Sequence, residues 1–217
     1  MQSVPLGLLE VRLHIHADHE AELNDWYDRE HVPELLRSPG VLSATRYTEM
    51  AAGIKMHRAF YELDGASVTL GKDFQRLLVY RTAWSTRMYA LYDNLHRIRH
   101  TYRLVAACGK SSPFNAPWLY CFKTDVASEM EEEFNKSYDD GLLEALATVD
   151  GCVGARRFVV TEGHQKYLSL YGLESLGVVD SDAWLAVANT PRRTKIRAHL
   201  LGATKSYCKL LRSTILA

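Results

Sequence analysis

Apolar and polar positions alternate along residues 8–16: Leu9, Val11, Leu13 and Ile15 fall on one face, and Glu10, Arg12, His14 and His16 on the other. That two-residue period predicts a half-buried strand. Residues 119–126 show the same pattern, with Tyr120, Phe122, Thr124 and Val126 against Cys121, Lys123 and Asp125. A helix is expected over residues 18–31, with Asp18 as its N-cap. Its counterpart starts near Ser128, with Glu129, Glu131, Glu132 and Glu133 close to the positive end of the helix dipole. Further strands are predicted at 41–49, 56–63 and 98–107, and again at 152–162, 166–173 and 203–211. Second helices are predicted at 67–80 and 181–189.

These elements repeat. With Gly40 set on Gly151, Tyr27 falls on Tyr138, Asp28 on Asp139, Ala44 on Ala155, Arg46 on Arg157 and Tyr47 on Phe158. YEL at Tyr61 meets YGL at Tyr171, TAWSTRM at Thr82 meets TPRRTKI at Thr190, and TYRLV at Thr101 meets SYCKL at Ser206. Preserved order along the chain marks an internal duplication. Each copy reads strand, helix, strand, strand, helix, strand, the ferredoxin-like βαββαβ unit. Residues 1–109 form the first repeat and 118–217 the second, degenerate one. Between them KSSPFNAP, residues 110–117, has linker composition. Helices on one face leave the other sheet face bare. The expected fold class is therefore α+β, with two ferredoxin-like repeats packed sheet to sheet as an intramolecular α/β barrel. Glu10, Arg12, His14 and His16 would then line a wet pocket on the inner face, because four buried polar side chains in a row are costly otherwise.

Composition narrows the function. The chain has 217 residues, of which 47% are hydrophobic and 24% charged, and 26 basic residues balance 26 acidic ones. No net field draws in nucleic acid or anionic lipid. No apolar run reaches the length of a membrane span, and the N-terminal segment lacks a basic region and cleavage pattern, so no secretory signal is expected. Cys108, Cys121, Cys152 and Cys208 are scattered, without zinc spacing, which fits a reducing, cytoplasmic setting. There is no GxGxxG, P-loop, GxSxG or HExxH pattern.

The stretch WYDREHVPELLRSPGVLSATRY, residues 26–47, resembles the dimeric α/β-barrel superfamily, specifically its EthD-like proteins. Those carry a tyrosine and an H-x-P-type histidine late in the first helix, then a PG turn. TAWSTRM followed by an Arg/His-rich strand resembles the later part of such domains. Methylmuconolactone methylisomerase-type proteins are similar, and the likeness implies that His31 is the helix histidine, His57 the one opening the third strand, and Tyr47 the strand-two tyrosine. The spacing from PG to Tyr47 is longer here. The second repeat has lost these groups: Leu142 stands at His31, Gly141 at Glu30 and Ser137 at Trp26. A site is therefore expected in the first repeat.

Histidines titrate near neutrality, so His31, His57 or His14 can carry protons. Pro33 should end or bend the helix near His31, and the alternative role of His31 is to bond a helix-end carbonyl. Tyr47 and Arg12 are candidates to stabilise negative charge, and His16, Trp26, Tyr27 and Tyr61 to bind substrate. Tyr27 recurs as Tyr138 and Arg46 as Arg157, which favours architectural roles for both pairs. His14 and His16 with Glu10 have no recognised metal spacing, and no metal or organic cofactor is expected; haem ligation by a histidine is the other possibility. The expected function is a cofactor-independent isomerase, cyclase or lyase working by His/Tyr acid–base chemistry on a small hydrophobic, cyclic or aromatic metabolite. The alternatives are a cofactor-free monooxygenase, or a non-catalytic metabolite-binding protein. The fused repeat supplies its own pairing, so a monomer or homodimer is expected.

Overall fold

In the computed structural model, which describes residues 5–92 and 96–215, the N-terminal alternation folds as β1 (Gly7–Leu13). A one-turn 3-10 segment leads into α1 (Glu20–Trp26), then a π turn at Tyr27–His31 and α2 (Val32–Leu36). β2 (Val41–Ala51) and β3 (Ile54–Leu63) form a hairpin, followed by α3 (Lys72–Val79), α4 (Ala83–Ala90) and β4 (Ile98–Gly109). The second copy repeats the order. It comprises β5 (Trp118–Val126), α5 (Ser128–Ser137), a π turn at Tyr138–Leu142, α6 (Leu143–Ala147), β6 (Cys152–Glu162), β7 (Tyr167–Leu173), α7 (Asp182–Ala188), α8 (Pro191–Arg197) and β8 (Leu200–Ile215). The strands follow the order β1-β3-β2-β8-β5-β7-β6-β4 in a closed barrel, so the expected α+β class with two ferredoxin-like repeats is the one observed. By packing, the chain forms two units. One holds the described residues up to Arg103 with Thr161–Gly163 and those from Leu211 on; the other holds Leu104–Val160 and His164–Leu210.

In the first unit the antiparallel order is β4-β1-β3-β2. The helices cover one face of this sheet with Leu9, Leu13, Ala44, Ala59, Tyr61 and Leu63 beneath them. The second unit repeats this as β8-β5-β7-β6, with Tyr120, Ala155, Tyr171 and Leu173 under its helices. Paired residues of the duplication do the same work in each. Arg46 lies 4.0 Å above the Tyr27 ring and donates to Asn24 at 2.7 Å; Arg157 lies 4.0 Å above Tyr138 and donates to Asn135 at 2.7 Å. Gly40 and Gly151, at φ +85° and +82°, turn the chain from helix to strand where a Cβ would meet a valine methyl at 2.6 Å.

Several elements differ from the sequence expectation. β1 stops at Leu13, because His16 caps the next turn: its Nδ1 accepts from the Asp18 amide, so His16, not Asp18, is the N-cap. Pro33 does not end the first helix. Its missing N–H and its ring are absorbed by the π turn before it, where the Val32 amide reaches back to the Tyr27 carbonyl, and the helix continues to Leu36. The second copy kinks at the same place without a proline, its helix broken by Gly141 at φ +101°. The helix expected at 67–80 is a 3-10 turn and then α3, separated by Gly71. Helices α4 and α8 are additional. Each starts at a threonine cap, with Thr82 accepting from the Ser85 amide and Thr190 from the Arg193 amide. β8 is longer at both ends than the strand expected at 203–211. The N-terminal residues 1–4 of the segment read for a leader lie outside the described residues, and no helix among the described residues is long and apolar enough to cross a membrane.

Because Arg157 is buried and binds helix to strand through both a cation–π contact and Asn135, Arg157→Met is expected to lower urea-unfolding stability by about 2–4 kcal/mol. A loss below about 0.5 kcal/mol would refute that structural role.

Candidate functional site

The two faces of the first sheet have different chemistry. Away from the helices, Glu10 accepts from Arg58 Nε at 3.1 Å and from the Tyr102 hydroxyl at 2.9 Å, and Arg58 also donates to Glu49 at 3.0 Å. Arg12 lies 3.3 Å from the other Glu49 oxygen, and His100 Nδ1 is 2.9 Å from the Tyr102 hydroxyl. Glu10, Arg58 and Glu49 are all buried. Buried charges on this scale persist only when they satisfy one another, and these do.

On the helix face lies a narrow cavity of about 30 Å³, set in a cleft of about 400 Å³ that includes the solvent at its mouth. Leu9, Val11, Leu35, Phe74 and Leu78 give it apolar walls; Tyr27, Tyr61, Tyr89, Tyr92, His31, Arg97 and Arg99 give it polar groups. It has the makeup of a small-molecule site, mostly apolar with a few convergent polar groups.

His31 is set in this cavity by its neighbours. Its ring stacks on Trp26 at 4.2 Å between centroids and 16° between planes, and meets the Tyr27 ring edge-on at 5.2 Å. Trp26 is itself fixed, its Nε1 donating to Glu30 and to Ser85 Oγ at 3.1 Å each. The same Glu30 oxygen accepts from Ser85 Oγ at 2.9 Å and Thr82 Oγ1 at 2.5 Å, so one carboxylate ties the first helix to the start of α4. Neither ring nitrogen of His31 is hydrogen-bonded to a described residue. Burial first, then the charges of Arg46 and Arg97, push its pKa down to about 3, so the imidazole is neutral throughout the physiological range.

The tyrosines are held protonated. Burial pushes Tyr27 up to about 12 and Tyr61 well above its ordinary value, with neighbouring phenols adding to the effect. The Tyr61 hydroxyl is buried beside Tyr27 and makes no well-formed hydrogen bond among the described residues. The two cavity arginines differ. Arg99 donates to both Glu162 oxygens at 3.0 Å. Arg97 makes no ion pair or hydrogen bond among the described residues; its guanidinium lies 5.3 Å from the Tyr89 ring and 5.9 Å from Tyr92.

Of the candidates from the sequence, His31, Tyr27 and Tyr61 come together in the cavity, with Trp26 directly behind His31. The others lie elsewhere. Tyr47 is on the opposite sheet face against Phe60, because the strand alternation that sends Arg46 to the helices turns Tyr47 away. Arg12 is engaged with Glu49 on that same face. His57 is buried on β3 near Glu20, its Nε2 3.9 Å from a Glu20 oxygen, and burial pushes its pKa down to about 4. His14 lies past the end of β1 and its Nδ1 bonds the Lys55 carbonyl at 3.0 Å; His16 is the exposed cap. The polar row expected to line an inner pocket thus divides. Glu10 and Arg12 enter the charge network, and the two histidines fall outside the strand.

Tyr89, Tyr92, Arg97 and Arg99 were not singled out from the sequence. The signal was present in Arg97 and Arg99, two apart across the first residue of β4, but Tyr89 and Tyr92 lie in and just after α4, a helix the periodicity does not announce. Among the described residues no three His, Cys, Asp or Glu side chains gather as metal ligands; His31 offers the one unbonded imidazole in the cavity.

No family model matches the chain, and no curated protein matches its sequence. Solved structures match its fold. A protein named as a putative monooxygenase from Fusobacterium nucleatum superposes with a TM-score of 0.69 at 10% identity, covering 98% of this chain and 96% of that one. An anthrone oxidase-like protein gives 0.64 at 11% identity, over 99% and 94%. A ferredoxin-fold protein related to antibiotic biosynthesis monooxygenases, from Listeria monocytogenes, gives 0.54 at 8%, over 96% of each chain. The chain thus has the fold of the ferredoxin-like α/β barrels, and at these identities the likeness extends to fold alone.

The depressed pKa of His31 has a thermodynamic sign. Between about pH 6.5 and 3 the unfolded chain holds the histidine proton more tightly, so stability is complete above that window and falls as pH drops through it. His31→Phe, which keeps the stack on Trp26, should flatten the loss between pH 6 and 4 by up to about 1.4 kcal/mol per pH unit. Parallel urea titrations at each pH check this; identical slopes for both proteins would show that His31 is protonated in the folded state.

Proposed function

We propose that the protein is a cofactor-independent oxygenase that deprotonates a small phenolic substrate at His31 and delivers its electrons to dioxygen. The observation carrying this reading is an imidazole, unbonded among the described residues, that meets the Tyr61 ring at 6.5 Å in an apolar, tyrosine-walled cavity where the Tyr61 hydroxyl makes no well-formed hydrogen bond. A proton acceptor and a hydrogen-bond donor converging on one volume are the parts needed to form a phenolate and hold its oxygen. Desolvation keeps His31 unprotonated in the free protein; once the phenol has given up its proton, the imidazolium is stabilised by the phenolate it faces.

For a naphthol the reaction balances without a further reductant. Naphthol and dioxygen give naphthoquinone and water: one oxygen atom becomes the new ring carbonyl, and the other leaves with the two hydrogens. The phenolate ring supplies the electrons, a C–O bond forms to dioxygen, and the O–O bond breaks as the carbonyl forms. The proton on His31 goes to the departing hydroxide.

The isomerase, cyclase or lyase reading, with its EthD-like and methylisomerase parallels, uses the same proton acceptor. Oxygen chemistry is favoured because fold neighbours carry monooxygenase and anthrone oxidase-like names, and because a cavity of aromatic walls suits a planar ring better than a flexible chain.

Oxygen uptake on a naphthol, with quinone formation followed by absorbance, tests the proposal. His31→Ala should lower kcat/KM by about 10²–10⁴-fold, and Tyr61→Phe by about 10²-fold. With the wild type the acid limb of kcat/KM should lie well below pH 6, following the pKa of about 3 at His31. Uptake indifferent to His31→Ala would overturn the reading, as would a rearranged product formed without oxygen.

A further inference from the structure

The cavity holds a cation that no carboxylate among the described residues neutralises. Arg97 is half-buried at its wall, its Nε is buried without a hydrogen-bond partner, and among the described residues it meets only the faces of Tyr89 and Tyr92. The nearby Arg99 shows the contrast, since Glu162 takes its charge through two hydrogen bonds. A guanidinium partly removed from water without a carboxylate is costly, and the fold tolerates it where a ligand supplies the anion. Duplication points the same way. With TYRLV at Thr101 set on SYCKL at Ser206, Arg97 falls on Gly202, so the second copy carries no cation at that position.

We propose that the ligand of this cavity is an anion: a hydroxylated one- or two-ring aromatic acid whose carboxylate pairs with Arg97 while its phenol lies against His31 and Tyr61. This deepens the oxygenase reading and rests on its assignment of the cavity. Three features set the class. The guanidinium fork matches a carboxylate through two parallel N–H donors. The tyrosine faces and Leu9, Val11 and Leu35 accept a flat ring. The Tyr61 hydroxyl, on a side chain 1% exposed and without a well-formed hydrogen bond among the described residues, offers a donor to a polar atom at the far end. Arg97 acts as a specificity-determining residue that selects acids over neutral phenols, and the proton chemistry stays with His31.

The test compares a hydroxynaphthoate with its neutral hydroxynaphthamide, by calorimetry and ligand fluorescence, on the wild type, Arg97→Gln and Arg97→Lys. The wild type should bind the acid about ten- to a hundredfold more tightly than the amide. Arg97→Gln should abolish that preference by weakening the acid while leaving the amide within about twofold, and Arg97→Lys should keep part of it. Thermal melts of each variant confirm that it is folded. Equal binding of acid and amide by the wild type, an equal loss of both in Arg97→Gln, or no binding of either probe would overturn the proposal. Naphthol turnover and its dependence on His31, measured on the same proteins, separates these outcomes from failure of the oxygenase reading: a neutral naphthol oxidised normally, with no preference for the acid, removes the anion inference alone.

Discussion

One carboxylate holds the site together. Glu30 accepts from Trp26, Ser85 and Thr82 through a single oxygen, so the first helix and α4 cannot move independently without leaving a partly buried charge unsatisfied. The consequence reaches His31 through the indole. With Nε1 bonded to Glu30 and Ser85, the Trp26 ring has one orientation, and the imidazole stacked on it at 4.2 Å takes that plane. The π turn completes the device. It places His31 one residue out of the α-helical phase, opposite β3 and the Tyr61 side chain, and absorbs Pro33 in doing so.

The two sheet faces solve opposite electrostatic problems. On one, Glu10, Arg58, Glu49 and Arg12 neutralise one another, and their carboxylate and guanidinium groups are mutually consumed. On the other, Glu30 is satisfied by its own donors, while His31, Tyr61 and Arg97 keep unfilled hydrogen-bonding capacity around an apolar space. Charge density alone would have pointed to the first face. Unspent capacity points to the second, because a ligand can form new interactions only where the protein has left them unmade.

Much of the architecture was legible in the sequence because it depends on local periodicity and on pairs kept in both copies. β2, β6 and the barrel class follow from alternation and duplication, and Arg46 with Arg157 follow from their recurrence. The cavity was legible at His31 and Tyr27, where a helix position fixed direction, and at Tyr61 on β3. Tyr47 lies outside the cavity because one step along β2 separates Arg46 on the helix face from Tyr47 on the other, whereas Arg12 lies on the face its alternation gave it, engaged with Glu49. His14 and His16 were misplaced because the alternation continues past the residue where the strand ends, and a side-chain cap decided that end. Helix α4 escaped because its signal is the Thr82 cap rather than a strong apolar stripe, and with it went Tyr89 and Tyr92.

The second copy supplies the control experiment that evolution has already run. It keeps Tyr138, Arg157, Asn135 and Gly151, the residues that fasten helix to strand in both units. It lacks Trp26, Glu30 and His31 together, with Ser137, Gly141 and Leu142 in their places. Where the first unit has the Trp26–Ser85 hydrogen bond, the second has Arg193 reaching the Ser137 hydroxyl at 3.4 Å. If the three residues served only packing, each could have drifted alone, and a tryptophan or a glutamate would be expected to survive without its partners. Three residues that touch one another in the first unit are thus replaced together: the imidazole stacks on the indole, and the indole donates to the carboxylate that Ser85 and Thr82 also bond.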